Sequence, residues 1–224
     1  MFSPEGDAVE NGLAEPTLFP ALWALDQGIV PGTRRARVTQ YLLANRRQAS
    51  ETMTFYYLFK QLYAQQDPEQ DREVLATLRK KWQGMAETGW KTSWEGFEGG
   101  SRAHIYGSFA GYFLSAFVLG VRPDGPVWNR KLLIEPRLGD LTSAAGTVVT
   151  EYGPVPVAWT VSAGRLDFTL TVPAGVTATV NVPRMGKKPR LTINGKAMLV
   201  RTQGRCLTLT LGAGEYGGTL TGSV

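Results

Sequence analysis

One glycine-rich stretch, Gly89-Trp90-Lys91-Thr92-Ser93-Trp94-Glu95-Gly96-Phe97-Glu98-Gly99-Gly100-Ser101-Arg102-Ala103-His104, holds two tryptophans, two carboxylates and the single histidine of the chain. Those residue types suit sugar chemistry. An indole covers the apolar C–H face of a pyranose, while a carboxylate accepts hydroxyl protons or activates water. An apolar wall beside Glu95 would also push its carboxyl towards the pKa a general base uses. The same residues fit a structural role equally well. Trp90 and Trp94 could plug the end of a helical core, Glu95 could cap the next helix or pair with Arg102, and His104 could be a structural hydrogen-bonder at a helix start.

The elements around this loop must position it. Upstream, Phe55, Leu58, Phe59, Leu62 and Tyr63 recur at helical spacing, and Val74, Leu75, Leu78, Trp82 and Met85 do the same. Asp67-Pro68 separates these two helices, because proline suits a first helical turn and disfavours helix just before it. A helix is expected over 17–29, closed by Pro31-Gly32, and another over 33–45 with Thr33 as N-cap. Residues 1–15 read as loop. A fifth helix, from about Ala103 to Leu119, is apolar nearly all round, with small residues between its large ones, so burial on all sides is expected. Together these helices suggest two concentric layers of helical hairpins.

After Pro123 the period changes to two. Leu166, Phe168, Leu170 and Val172 alternate with polar residues, Leu207, Leu209 and Leu211 alternate with threonines, and Asn194-Gly195 is a strong hairpin signal. Many short strands with frequent turn residues predict an antiparallel β-sandwich. The expected organisation is α+β: a helical domain over 1–121 and a sandwich over 122–224. A length of 224 residues fits two such domains.

Composition narrows the function classes. The net charge is +5, and the 12 Lys/Arg against 6 Asp/Glu of residues 122–224 carry the excess. Those cations are scattered along strands and turns, so solvated faces explain them better than a nucleic-acid surface. With one histidine and one cysteine, Cys206, neither a metal site nor an internal disulfide is expected. No phosphate-binding loop and no Ser-His-acid set is legible, and no cofactor is expected. The apolar stretch Ile105 to Val121 is short for a membrane span. The first residues lack the pattern of a signal peptide, which favours the cytoplasm.

Several motifs, in order, resemble the closing part of glycoside hydrolase family 78, the bacterial α-L-rhamnosidases. They are Glu51-Thr52-Met53-Thr54-Phe55-Tyr56-Tyr57, Lys81-Trp82-Gln83-Gly84-Met85, Thr92-Ser93-Trp94-Glu95 and Ala103-His104-Ile105-Tyr106-Gly107-Ser108. Val118-Leu119-Gly120-Val121-Arg122-Pro123, Leu132-Leu133-Ile134-Glu135-Pro136 and Tyr152-Gly153-Pro154 continue the series, and the similarity spans most of residues 15–183. The resemblance implies the last helices of a six-hairpin (α/α)6 barrel followed by the C-terminal β-sandwich. It also implies inverting hydrolysis of terminal α-L-rhamnosides, with Glu95 as the general base on water. Trp94, His104 and, less directly, Trp90 would contact the sugar.

An inverting pair stands roughly 6.5–9.5 Å apart to leave room for that water. Glu98, three residues from Glu95, is too near if the loop turns helically, and Glu87 is a looser candidate. In the family the general acid comes from earlier in the barrel, and five helices are legible here where the family has twelve. An N-terminal half of the enzyme is therefore an expected partner beside the carbohydrate. The alternative is a non-catalytic carbohydrate-binding or structural remnant of such an enzyme.

Overall fold

The computed structural model describes residues 17–223, so the loop expected over residues 1–15 lies outside the described residues. The chain divides into two compact units, Met1–Ala110 and Gly111–Val224.

The first unit is helical: α1 (Leu18–Asp26), α2 (Gly32–Asn45), α3 (Thr52–Ala64) and α4 (Pro68–Glu87). α3 packs against both α1 and α4, and its stripe Phe55, Leu58, Phe59, Leu62 and Tyr63 is buried as the spacing predicts. Asp67 caps α4, accepting the Glu69 amide at 3.0 Å, where a carboxylate also meets the positive end of the helix. Two expected boundaries are corrected. α1 ends at Asp26, with Gly28 in the left-handed region (φ +68°), so glycine stops the helix before Pro31 is reached. Pro31, rather than Thr33, is the N-cap of α2, and no side chain caps that end.

The expected fifth helix is neither regular nor buried on all sides. It begins as a 3₁₀ turn (Ile105–Ser108), continues as α5 (Phe109–Phe113) and widens into a π turn (Leu114–Val118). Phe113, Ala116 and Val118 are buried, whereas Ile105, Tyr112 and Leu114 are exposed. In the second unit the π turn is tied to the sandwich strands and their connections. The Trp159 indole donates to the Val118 carbonyl at 2.9 Å, and the Arg137 amide donates to the Phe117 carbonyl at 2.8 Å.

The remainder of the second unit is a two-sheet sandwich. One sheet has the order β1 (Val121–Pro123), β2 (Lys131–Ile134), β6 (Thr177–Pro183), β10 (Cys206–Leu211), β9 (Arg201–Gln203). The other runs β3 (Ser143–Thr150), β4 (Gly153–Ser162), β5 (Arg165–Val172), β11 (Gly214–Ser223), β7 (Lys187–Ile193), β8 (Lys196–Ala197). Alternate residues of β5, β6 and β10 are buried, which is the period-two pattern read from sequence. Asn194 (φ +48°) and Gly195 (φ +76°) make the tight β7–β8 turn, because a primed turn needs positive φ at both positions. One pairing is parallel, β2 with β6. It is possible because the chain between them crosses through β3–β5 of the other sheet, a connection long enough to return in the same direction.

Gly120 sits where only glycine fits. Its φ is +84°, and a Cβ there would lie 2.3 Å from the Glu135 carbonyl carbon and the Pro136 nitrogen. Gly120→Ala is expected to cost about 1–3 kcal/mol from the left-handed backbone alone, and more from the clash. A lowered denaturant midpoint with an unchanged m-value would show it.

Candidate active site

The loop between α4 and the 3₁₀ turn folds back on itself as a short ribbon. The Glu95 amide donates to the Ser101 carbonyl at 2.8 Å, and the His104 amide to the Ser93 carbonyl at 2.8 Å. The Ser93 hydroxyl closes the far end by donating to the His104 carbonyl at 2.7 Å. Gly107 lets the start of the next helix lie directly on the ribbon, since a Cβ there would be 2.5 Å from the Trp94 carbonyl oxygen.

An aromatic cluster anchors the ribbon to the helices. Phe97 meets Trp82 edge-to-face with ring centroids 4.8 Å apart, and Phe109 meets the same indole at 5.0 Å. Phe55 packs against both Trp82 and Phe97. The Trp82 indole also donates to the Gly107 carbonyl at 2.7 Å. The middle of the loop and the start of the next helix are thus held to one residue of α4. The Thr52 hydroxyl, from the first turn of α3, donates to the Glu95 carbonyl.

Adjacent residues of an extended ribbon leave it on opposite faces. Trp94 accordingly points inwards, 8% exposed, while Glu95 is exposed. The apolar wall expected beside the Glu95 carboxylate is therefore not formed by Trp94. Glu95 Oε2 accepts the Ser101 amide at 3.0 Å. Gly100 (φ +85°) makes room for that oxygen, since a Cβ there would approach it to 2.7 Å. Among the described residues no cation pairs with the Glu95 carboxylate, and no hydrogen bond occupies Oε1. The pairing of Glu95 with Arg102 does not occur. Arg102 lies over Trp94, its guanidinium 4.6 Å from the ring centroid, and 5.7 Å from that of Trp90, a cation–π arrangement. Trp90 is 56% exposed.

His104 is the N-cap of the 3₁₀ turn. Its Nδ1 accepts the Tyr106 amide at 3.2 Å, and its ring meets Tyr106 at 4.2 Å between centroids. This bond places the imidazole proton on Nε2, which leaves Nε2–H as a donor. Glu95 and His104 thus lie on one ribbon, and Trp94 is buried within it. Reasoning from sequence did not single out Ser101, Gly100 or Thr52 as holders of Glu95. The glycine pair before Ser101 is the one local sign of so close an approach. Among the described residues no group of three or more metal-ligating side chains occurs, and no helix is long and apolar enough to cross a membrane.

Residues 120–195 match the family model described as the bacterial α-L-rhamnosidase C-terminal domain. An α-L-rhamnosidase of Streptomyces avermitilis is 31% identical over 114 residues, which is 50% of this chain and 11% of that protein. The structure of an α-L-rhamnosidase from Dictyoglumus thermophilum superposes with a TM-score of 0.79 at 20% identity, covering 96% of this chain and 26% of that one. The S. avermitilis α-L-rhamnosidase complexed with L-rhamnose gives a TM-score of 0.78 at 22% identity, covering 97% and 22%. This chain therefore spans about a quarter or less of the length of those relatives.

The helices followed by a β-sandwich thus share their fold with the matched part of those two structures. Within this chain the α-L-rhamnosidase family model covers residues 120–195, and over almost its whole length the fold is that of part of those α-L-rhamnosidase structures.

Proposed function

We propose that this chain supplies the general base and part of the sugar pocket of an inverting α-L-rhamnoside hydrolase. The observation that carries the reading is the Glu95 carboxylate. One oxygen is held by the Ser101 amide, the other is open, and the residue stands exposed on a ribbon locked to the helices. In the proposed reaction Glu95 Oε1 takes a proton from water as the water oxygen bonds to the anomeric carbon. The glycosidic C–O bond breaks, and its electron pair goes to the departing oxygen. That oxygen is protonated by a general acid contributed by polypeptide outside the described residues, whose helices complete the barrel. Attack from the face opposite the leaving group inverts the anomeric centre. Nε2–H of His104 is placed to donate to a sugar hydroxyl, and Trp90 offers an exposed ring for a C–H face.

The test is the anomer formed first. Proton NMR of an α-L-rhamnoside digest, with this chain assembled with the rest of the barrel, is expected to show β-L-rhamnose before mutarotation. First appearance of the α anomer would overturn the inverting reading. A second reading, sugar binding without turnover, is favoured by the exposed Trp90. It predicts a tryptophan fluorescence change with L-rhamnose and no product under any assembly.

A further inference from the structure

Two shallow depressions on the outer face of the six-stranded sheet, of about 380 Å³ and about 350 Å³, share Thr169 and Gly217 in their linings. They form one trough across β4, β5 and β11. The strand register explains its shape. Ala158 pairs with Thr169 and Thr169 with Gly217, so the floor is a row of small residues. Thr160, Asp167 and Thr219 make one bank, and Pro156, Thr171 and Glu215 the other.

The two adjacent glycines of β11 differ in what they do. Gly218 is required by packing, because a Cβ there would fall 2.1 Å from the Phe168 ring in the core. Gly217 faces solvent and its φ is not positive; the nearest atom to a Cβ would be Asn194 Oδ1 at 3.9 Å. Neither backbone conformation nor packing demands glycine at 217, although a strand-interior glycine costs about 0.5–1 kcal/mol relative to alanine. A strand-interior glycine often marks a bulge, a tight bend or the close approach of a ligand or another backbone, and the β5–β11 register runs through Gly217 without a bulge.

The chemistry of the lining selects the ligand. Among the described residues nothing bonds the hydroxyls of Thr160, Thr169 and Thr171. Asn194 is fixed, donating to the Glu215 carbonyl at 3.3 Å and accepting the Gly217 amide at 2.8 Å. Asp167 is held by Arg165 at 2.5 Å and 2.7 Å and by the Thr219 hydroxyl at 2.6 Å. The lining holds two carboxylates, and Arg165, the cation beside it, is paired with Asp167, which leaves no excess positive charge there for an anionic polymer. Hydroxyls and carboxylates along an open, flat-floored channel match a neutral, hydroxyl-rich chain.

We propose that this trough is a second glycan-binding site, taking a neutral oligosaccharide across β4, β5 and β11. It is separate from the ribbon that carries Glu95 and does not rest on the hydrolytic reading. The experiment is affinity electrophoresis of the full chain through native gels containing dextran, mannan, arabinogalactan or arabinoxylan. The expected result is retardation in at least one gel relative to a polymer-free gel. Gly217→Leu, which fills the floor, should abolish that retardation, and Thr169→Val should weaken it several-fold. Circular dichroism and a thermal melt confirm that each variant keeps its fold. Glu95→Gln should be retarded like the unaltered chain, so loss of hydrolysis and loss of this site are read separately. Absence of retardation in all four gels, or full retardation of folded Gly217→Leu, would overturn the proposal.

Discussion

Changing Glu95 to glutamine is expected to lower kcat for an aryl α-L-rhamnoside by about 10²–10⁴-fold, the range a positioned general base contributes. The assay uses this chain assembled with the polypeptide that carries the general acid. KM should change little, because glutamine keeps the length of the side chain and an oxygen to accept the Ser101 amide. What is lost is the capacity to take a proton from water. Azide needs no base, so it should restore turnover to Glu95→Gln and leave a glycosyl azide of inverted configuration. Hydrolysis by Glu95→Gln at the unaltered rate would remove Glu95 from the chemistry, whatever the fold.

The second large effect is on stability. Glu135 is buried, its side chain 7% exposed, between Arg122 and Arg137, whose side chains are 17% and 12% exposed. Its Oε1 lies 3.1 Å from Arg137 and 3.4 Å from Arg122, and its Oε2 accepts the Asn181 amide at 2.5 Å. Asn181 in turn accepts the Thr208 hydroxyl at 2.8 Å. Burial lowers the Arg122 pKa from its ordinary value, and Glu135 is the chief opposing influence. Removing the carboxylate leaves two largely buried arginines without the counter-charge they share. Glu135→Ala is expected to cost about 3–5 kcal/mol, the usual penalty for breaking a buried ion pair from one side. Equilibrium denaturation of the chain measures it, and a midpoint within error of the original would show that water already solvates the cluster. The cluster also bears on the helix, since Arg122 donates to the Ala116 carbonyl and stacks on Phe117 at 4.6 Å. Loosening the π turn should therefore accompany the loss, visible as faster amide exchange over Leu114–Val118.

Much of the fold is legible in the residues themselves because it obeys local rules. The 3.6-residue spacing from Phe55 to Tyr63 and the Asp67-Pro68 punctuation locate α3 and α4, and the alternation from Leu166 to Val172 locates β5. Asn194-Gly195 specifies its own turn, since few other residue pairs tolerate two positive φ angles in succession. The glycine-rich loop with Glu95 stands out by composition, as polar groups placed for binding on a packed scaffold do. The parallel pairing of β2 with β6 is a different matter. It depends on which strand the chain meets after crossing the other sheet, and no local pattern records that.

The same limit applies to the site. Glu95, Trp94 and His104 are adjacent or near in sequence, yet their directions are set by residues far away. Phe55 and Trp82 pack on Phe97, Phe109 packs on Trp82, and that cluster settles which face of the ribbon is inside. Once it does, Trp94 must be buried under Arg102 and Glu95 must face out. Residue types and periodicity by themselves determined the first four helices, the alternation of β5 and β10 and the loop that bears the carboxylate. Only the tertiary structure decided where that carboxylate points and what holds it, because burial is shared among residues brought together from across the chain.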